Sequence, residues 1–157
     1  MKLTTRQDIE APLAQVWATV ADFEAWERAA MRRGVEVERT DALRAPAAGM
    51  GWKARFRYRG KERRIEIGLT RLEAPHHLDM KIGSPVVEGD VVVELIEMAA
   101  KRTRMHITTE LRPLSLGARL FLQSLRLARA RIDRKFNSRA AHLAREIEAP
   151  ARRLSSV

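Results

Sequence analysis

The chain has 157 residues, enough for one domain with a sizeable core, and a hydrophobic fraction of 45%, ordinary for a soluble globule. It holds no cysteine, which excludes disulfides, thiolate metal sites and cysteine nucleophiles, and no apolar run approaches the ~18–20 residues of a membrane helix. A formal net charge of +10 favours anionic partners without singling one out, because a basic solvated face gives the same count.

The opening Met-Lys-Leu-Thr-Thr-Arg-Gln-Asp places charges where a signal peptide needs an apolar core, so a cytoplasmic location is expected. Lys2 to Glu10 reads as a strand of mixed polarity. Pro12 suits the first turn of a helix, and Leu13, Val16, Trp17 and Val20 follow at helical spacing. Asp22 is positioned to cap a second short helix, with Phe23, Trp26 and Ala30 on one face and Gly34 at its end. Val35 and Val37 alternate with acids and predict a strand, and the segment from Ala42 to Met50, with Pro46 and Gly49, reads as a loop.

The clearest alternation comes next. Trp52, Ala54, Phe56 and Tyr58 take one side of a strand, and Lys53, Arg55 and Arg57 take the other. Arg59-Gly60 is suited to a tight turn, after which Ile65, Ile67 and Leu69 return on the inner face. Leu78, Met80 and Ile82, then Val91, Val93 and Leu95, then Thr103, Met105, Ile107, Thr109 and Leu111 predict three further strands. The chain closes on a helix from Ser115 to Glu148. Phe121, Leu125, Ala128, Ile132, Phe136, Leu143 and Ile147 share its face, Ser115 stands as N-cap and Pro150 lies just past its end. Such a helix spans roughly 50 Å, against about 40 Å for a compact domain of this size, so its far end is expected to overhang or bend.

The expected class is therefore α+β: about seven antiparallel strands in a curved sheet around one long C-terminal helix, with two short helices after strand 1. The domain is expected to span residues 1–150, followed by a short tail, 151–157. Ile9-Glu10-Ala11-Pro12-Leu13-Ala14-Gln15-Val16-Trp17, with Ala21-Asp22-Phe23 and Trp26, resembles the opening signature of the START-like (SRPBCC) superfamily. That group includes the polyketide cyclase/dehydrase-like and birch-pollen-allergen-like helix-grip proteins. The turn Lys101-Arg102-Thr103-Arg104-Met105 resembles the family's penultimate hairpin, although the family usually has glycine there. The resemblance implies an apolar cavity between sheet and helix that holds a hydrophobic or amphipathic small molecule such as a lipid, isoprenoid or polyketide. Some relatives are cyclases or aromatases, and many only bind or carry.

Strand parity places Trp52, Phe56, Tyr58, Ile67, Leu69, Met80, Val93 and Met105 on the expected cavity wall, with Phe121 and Leu125 facing them from the helix. Trp26 is assigned to the rim and Met31 beside it, methionine being suited to irregular apolar ligands. Plain core packing is the competing reading for each of these. Tyr58, whose hydroxyl needs a partner if buried, and Glu97, which continues the inward parity of Val91, Val93 and Leu95, are the weak catalytic candidates. Few polar groups converge, which favours binding over a cyclase or aromatase reaction.

His76, His77, His106 and His142 lack metal-ligand spacing, so no metal is expected, nor any cofactor. Gly49-Met50-Gly51 matches a relaxed dinucleotide fingerprint, but a strand follows where a helix is needed. Arg119, Arg126, Arg129, Arg131, Arg134, Lys135, Arg139 and Arg145 make the last helix basic. That face is suited to an anionic membrane surface or to a partner protein contacted in the manner of an adaptor, and a solvated face is the plain alternative. Nucleic acid is disfavoured, since no recognition module is present. Oligomeric state leaves no readable pattern.

Overall fold

A computed structural model describes the backbone of residues 1–155 and the side chains of residues 1–149. The strands are β1 (Lys2–Ile9), β2 (Glu36–Arg39), β3 (Gly51–Tyr58), β4 (Lys61–Glu73), β5 (His77–Gly83), β6 (Val87–Ala99) and β7 (Arg102–Pro113). The helices are α1 (Leu13–Val20), α2 (Phe23–Arg32), α3 (Leu116–Leu125) and α4 (Arg129–Ser155). All seven strands form one sheet in the order β1-β7-β6-β5-β4-β3-β2, with every pairing antiparallel. Six strands thus form a meander in chain order, and β1 closes it by pairing with the last of them. This is the helix-grip α+β fold read from the residue pattern.

Local chemistry explains the joints. Asp22 caps α2 by accepting the Ala25 N–H at 3.2 Å, and Ser115 caps α3 by accepting the Ala118 N–H at 3.0 Å. Arg59 and Gly60 both have positive φ, at 52° and 75°, as a two-residue hairpin between right-twisted strands requires. The core gathers Ile9, Val16, Phe23, Leu69, Leu78, Leu95, Met105 and Ile147 where α1 and the end of α4 meet the sheet. Thr103 is fully buried there, and its hydroxyl donates to the Ala11 carbonyl at 2.9 Å, tying β7 to the entry of α1.

The closing helix departs from expectation in three ways. It is interrupted: a 3-10 turn at Arg126–Ala128 separates α3 from α4. It continues past its expected stop, since the backbone stays helical through Pro150 to Ser155. Residues 151–155 of the expected tail are therefore helical, and 156 and 157 lie outside the described residues. The overhang is also at the near end, because no residue of α3 is buried.

The course of α4 explains this. Arg129 donates to the Lys2 carbonyl at 2.6 Å, the Thr5 hydroxyl donates to Asn137 Oδ1 at 2.5 Å, and the Glu10 N–H donates to Glu148 at 3.0 Å. From Lys2 to Glu10 a strand advances roughly 26 Å, and from Arg129 to Glu148 a helix advances roughly 28 Å. The two run side by side in the same direction. Hence α4 covers the β1 margin of the sheet rather than its middle, and α3 projects past the body. Among the described residues no helix is long and apolar enough to cross a membrane.

Candidate functional site

Because α4 follows one margin, the inner face of the central strands is left with space above it. That space is a cavity of ≈ 570 Å³, within the range of small-molecule sites. Its floor is Trp52, Ala54 and Phe56 of β3, Ile65 and Ile67 of β4, Leu78, Met80 and Ile82 of β5, Val93 of β6 and Met105 and Ile107 of β7. Its roof is Val20 of α1, Phe23, Trp26, Glu27 and Ala30 of α2, and Leu143 of α4, with Val35 and Val37 at the side. Alternation on the strands brings the floor together. In α2 the four contributors recur at i, i+3, i+4 and i+7.

Glu27 is the single ionisable side chain among these lining residues. Its Oε1 accepts the Trp52 indole N–H at 2.7 Å. The Arg39 guanidinium lies 3.9 Å from the same oxygen and 5.6 Å from the centre of the Trp52 ring. Arg39 is itself clamped by Asp41, with Nε at 2.9 Å and Nη2 at 2.5 Å from the two carboxylate oxygens. Asp41 also accepts the backbone N–H groups of Gly51 and Leu43, at 2.9 and 3.0 Å. Behind the cavity wall there is thus a relay, Glu27–Trp52–Arg39–Asp41, that joins α2, β3 and β2 to the loop after β2. The second indole, that of Trp26, donates to the Val20 carbonyl at 3.1 Å, and Phe23 packs on Trp52 with ring centres 5.5 Å apart.

The Arg39 hydrogen bonds, with help from the Gly51 and Leu43 amides, hold the Asp41 carboxyl well below its ordinary value of 3.8. A carboxyl depressed in the fold stabilises fully above the unfolded value and loses that contribution as pH falls through the folded value. Asp41→Asn is therefore expected to lower stability at pH 7 and to differ less and less from wild type as the pH is taken below 3.8. Urea titrations of both proteins from about pH 7 down to about pH 2.5 check this, and a gap that widens on acidification would contradict the clamp.

Seven of the expected wall residues meet on this cavity: Trp26, Trp52, Phe56, Ile67, Met80, Val93 and Met105. Five do not. Tyr58 continues the inward parity but sits at the tip of β3, 54% exposed, with the Arg59 guanidinium 5.3 Å from its ring centre. Met31 is 50% exposed on the last turn of α2. Leu69 is sealed inside the core cluster, where its N–H donates to the Met50 carbonyl at 2.8 Å. Phe121 and Leu125 belong to α3 and its end, which stand away from the cavity. Glu97, like Tyr58, fails as a buried polar group. The register across from Thr103 is kept, but the strand end is uncovered there and the carboxylate is exposed. Glu27 was legible as an acid on the Phe23, Trp26 and Ala30 face, an out-of-pattern residue that the apolar reading of α2 passed over. Among the described residues no three His, Asp or Glu side chains gather as a metal site.

The family model described as polyketide cyclase / dehydrase and lipid transport matches residues 1–148. The chain belongs to this family. The START-like relationship read from the opening signature is thereby established, and the polyketide cyclase / dehydrase and lipid transport family is one whose fold leaves room for an apolar ligand. Among solved structures the chain is similar to TTHA0849 from Thermus thermophilus, at 15% identity and TM-score 0.67, covering 96% of this chain and 99% of that one. It is similar to the Zhui aromatase/cyclase from Streptomyces sp. R1128, at 13% identity and TM-score 0.66, covering 98% and 95%. It also resembles norcoclaurine synthase from Thalictrum flavum, at 10% identity and TM-score 0.55, covering 71% and 68%. At these identities the likeness is one of fold. No curated protein matches the sequence.

Proposed function

We propose that this protein binds one hydrophobic or amphipathic small molecule, of lipid, isoprenoid or polyketide type, in the cavity between its sheet and α2. The observation that carries the reading is a ≈ 570 Å³ space whose lining is apolar apart from Glu27. A twelve-carbon chain transferred there gains about 10 kcal/mol at ~0.8 kcal/mol per methylene. Association costs about 4 kcal/mol or more, so a simple alkyl probe is expected to bind with Kd no tighter than tens of micromolar. Titration with an apolar fluorophore, followed by native mass spectrometry, tests the reading. One probe per chain with blue-shifted emission is the expected result, and no uptake by the folded protein would overturn it.

The competing reading is an enzyme of the kind named for the Streptomyces relative. Acid–base chemistry on a reactive chain calls for converging proton-transfer groups. Tyr58 and Glu97, the residues the sequence offered, lie outside the cavity, and Glu27 alone remains on its wall. This arrangement favours holding a ligand over transforming it.

We propose further that α3 delivers the protein to an anionic membrane. Leu116 and Leu120 of α3 and Leu127 of the 3-10 turn that follows it are exposed, Leu127 to 95%. Exposed leucines beside a row of cations suit a helix that lies in a membrane interface. Between Ser115 and Arg139 the chain carries seven cations and one acid, Asp133. Each cation near an anionic leaflet is worth about 1 kcal/mol, and inserted leucines add to this. Sedimentation with vesicles containing phosphatidylserine is expected to pull down wild type and to leave Leu120→Ser/Leu127→Ser in the supernatant. Equal pelleting with pure phosphatidylcholine, or no loss in the variant, would refute the docking.

A further inference from the structure

The cavity's one charged wall residue has an orientation that bears on ligand choice. Glu27 projects from α2 between Phe23 and Ala30, and its two carboxylate oxygens differ in their surroundings. Oε1 is taken by the Trp52 indole at 2.7 Å and lies 3.9 Å from Arg39. Oε2 has no hydrogen-bond partner among the described residues. The side chain is 19% exposed and lines the cavity. An ionised oxygen at the edge of an apolar space is costly to leave unmatched when a ligand displaces water from it.

The charge around it sets the sign of what fits. Arg39 does not balance both acids: Asp41 takes its Nε and Nη2, and the remaining Nη1 lies 3.9 Å from Glu27 Oε1, so one positive charge is shared between two carboxylates. The trio of Glu27, Arg39 and Asp41 sums to one negative charge, and Glu24 adds a further acid to the field at Arg39. The side-chain N–H donors among the lining residues are the two indoles, and both are spent, Trp52 on Glu27 Oε1 and Trp26 on the Val20 carbonyl; Arg39 is not a lining residue. A ligand bearing a carboxylate or a phosphate would set like charges together in a low-dielectric space, without a donor to receive it.

We infer that Glu27 selects the polar end of the ligand: the cavity takes amphiphiles that end in a hydrogen-bond donor, a hydroxyl or an ammonium group, and turns away those that end in a carboxylate or a phosphate. The donor end sits at Oε2 beneath α2. The apolar remainder lies against Ile65, Met80, Ile82 and Ile107. Glu27 is then a specificity residue of the binding site, and the inference rests on the proposal that this cavity holds a ligand.

The test uses one chain length and three ends. Decanol, decylammonium and decanoate, each below its self-association concentration, compete with a bound apolar fluorophore on wild type and on Glu27→Gln. The glutamine carbonyl still accepts the Trp52 N–H, so the wall is preserved, and circular dichroism with a thermal melt checks the fold. Wild type is expected to bind decanol and decylammonium at least ~10-fold more tightly than decanoate. In Glu27→Gln the ammonium advantage is expected to fall at least ~10-fold and decanoate to gain, with decanol changed least. Equal affinity of wild type for all three probes, or an unchanged ranking in Glu27→Gln, overturns the selection while leaving the cavity as a binding site. Failure of every probe and of the fluorophore to bind overturns the cavity reading, and the selection with it.

Discussion

Replacing Ala54 with tryptophan is expected to abolish ligand uptake while leaving the protein folded. Ala54 is buried on β3, opposite Val37 on one side and Ile65 on the other, and its methyl group faces the cavity. An indole built there has one direction to go, into the ≈ 570 Å³ space above the sheet. Overpacking a filled core costs about 1–3 kcal/mol, but this position borders a void, so the added ring gains contacts in place of clashes. A ligand competing for the same volume must expel or distort that ring. Loss of about 2.7 kcal/mol is a roughly 100-fold rise in Kd, and that is the smallest effect expected. Fluorophore titration reads the affinity, and a thermal melt should show the variant as stable as wild type or more so. Undiminished uptake would place the ligand somewhere other than between β3 and α2.

The contrast between Ala54 and Tyr58 bears on how much of this site a sequence carries. Both hold the inward parity of β3, and both were readable as inward. Parity fixes the face of a strand but not what lies above each point along it. Ala54 lies under α2, whereas Tyr58 lies beyond the roof, where inward means toward water. Helical periodicity has the same limit. Phe121 and Leu125 fall on the same stripe as Leu143 and Ile147, and the stripe is continuous in sequence. In the fold only the second half meets the sheet, because the helix is interrupted at Arg126–Ala128 and follows the β1 edge. Leu69 shows a third limit. It keeps the inward parity of Ile65 and Ile67, but it lies in the closed core cluster, where inward means packed and not cavity-facing.

The meander, the two capped helices and the hairpin at Arg59-Gly60 were legible because each depends on neighbours in the chain. The Glu27–Trp52–Arg39–Asp41 relay was not, since its members come from α2, β3, β2 and a loop and meet only through strand pairing. Arg39 stands opposite Trp52 in the β2–β3 register, which is what carries the guanidinium over the indole. Asp41 then fixes that guanidinium, so a surface-looking Arg-x-Asp pair orients a residue on the cavity wall.

Truncating Ile147 to alanine is expected to be among the most destabilising single changes, although it lies far along a helix whose beginning carries no core contacts. Ala140, Ala144 and Ile147 recur on one face of α4 and are all buried, Ile147 to 2% exposure. The two alanines let the helix approach β1 closely, and Ile147 supplies the bulk that fills the space near Ile9 and Val16. Hydrogen bonds pin the same turn: Gln15 Nε2 donates to the Ile147 carbonyl at 3.0 Å, and Glu148 accepts the Glu10 N–H at 3.0 Å. With neighbours held this way the cavity left by the lost methyl and methylene groups has little freedom to collapse. A cost of about 2–5 kcal/mol follows, which lowers Tm by roughly 4–20 °C in a chain of this length. Leu127→Ala, by contrast, removes a side chain that touches little but solvent, and is expected to change stability by less than about 0.5 kcal/mol. Thermal melts of the two variants side by side decide the matter. If both shifts were small, α4 would not be the clamp that holds the sheet's margin down, and the cavity's open roof would need another explanation.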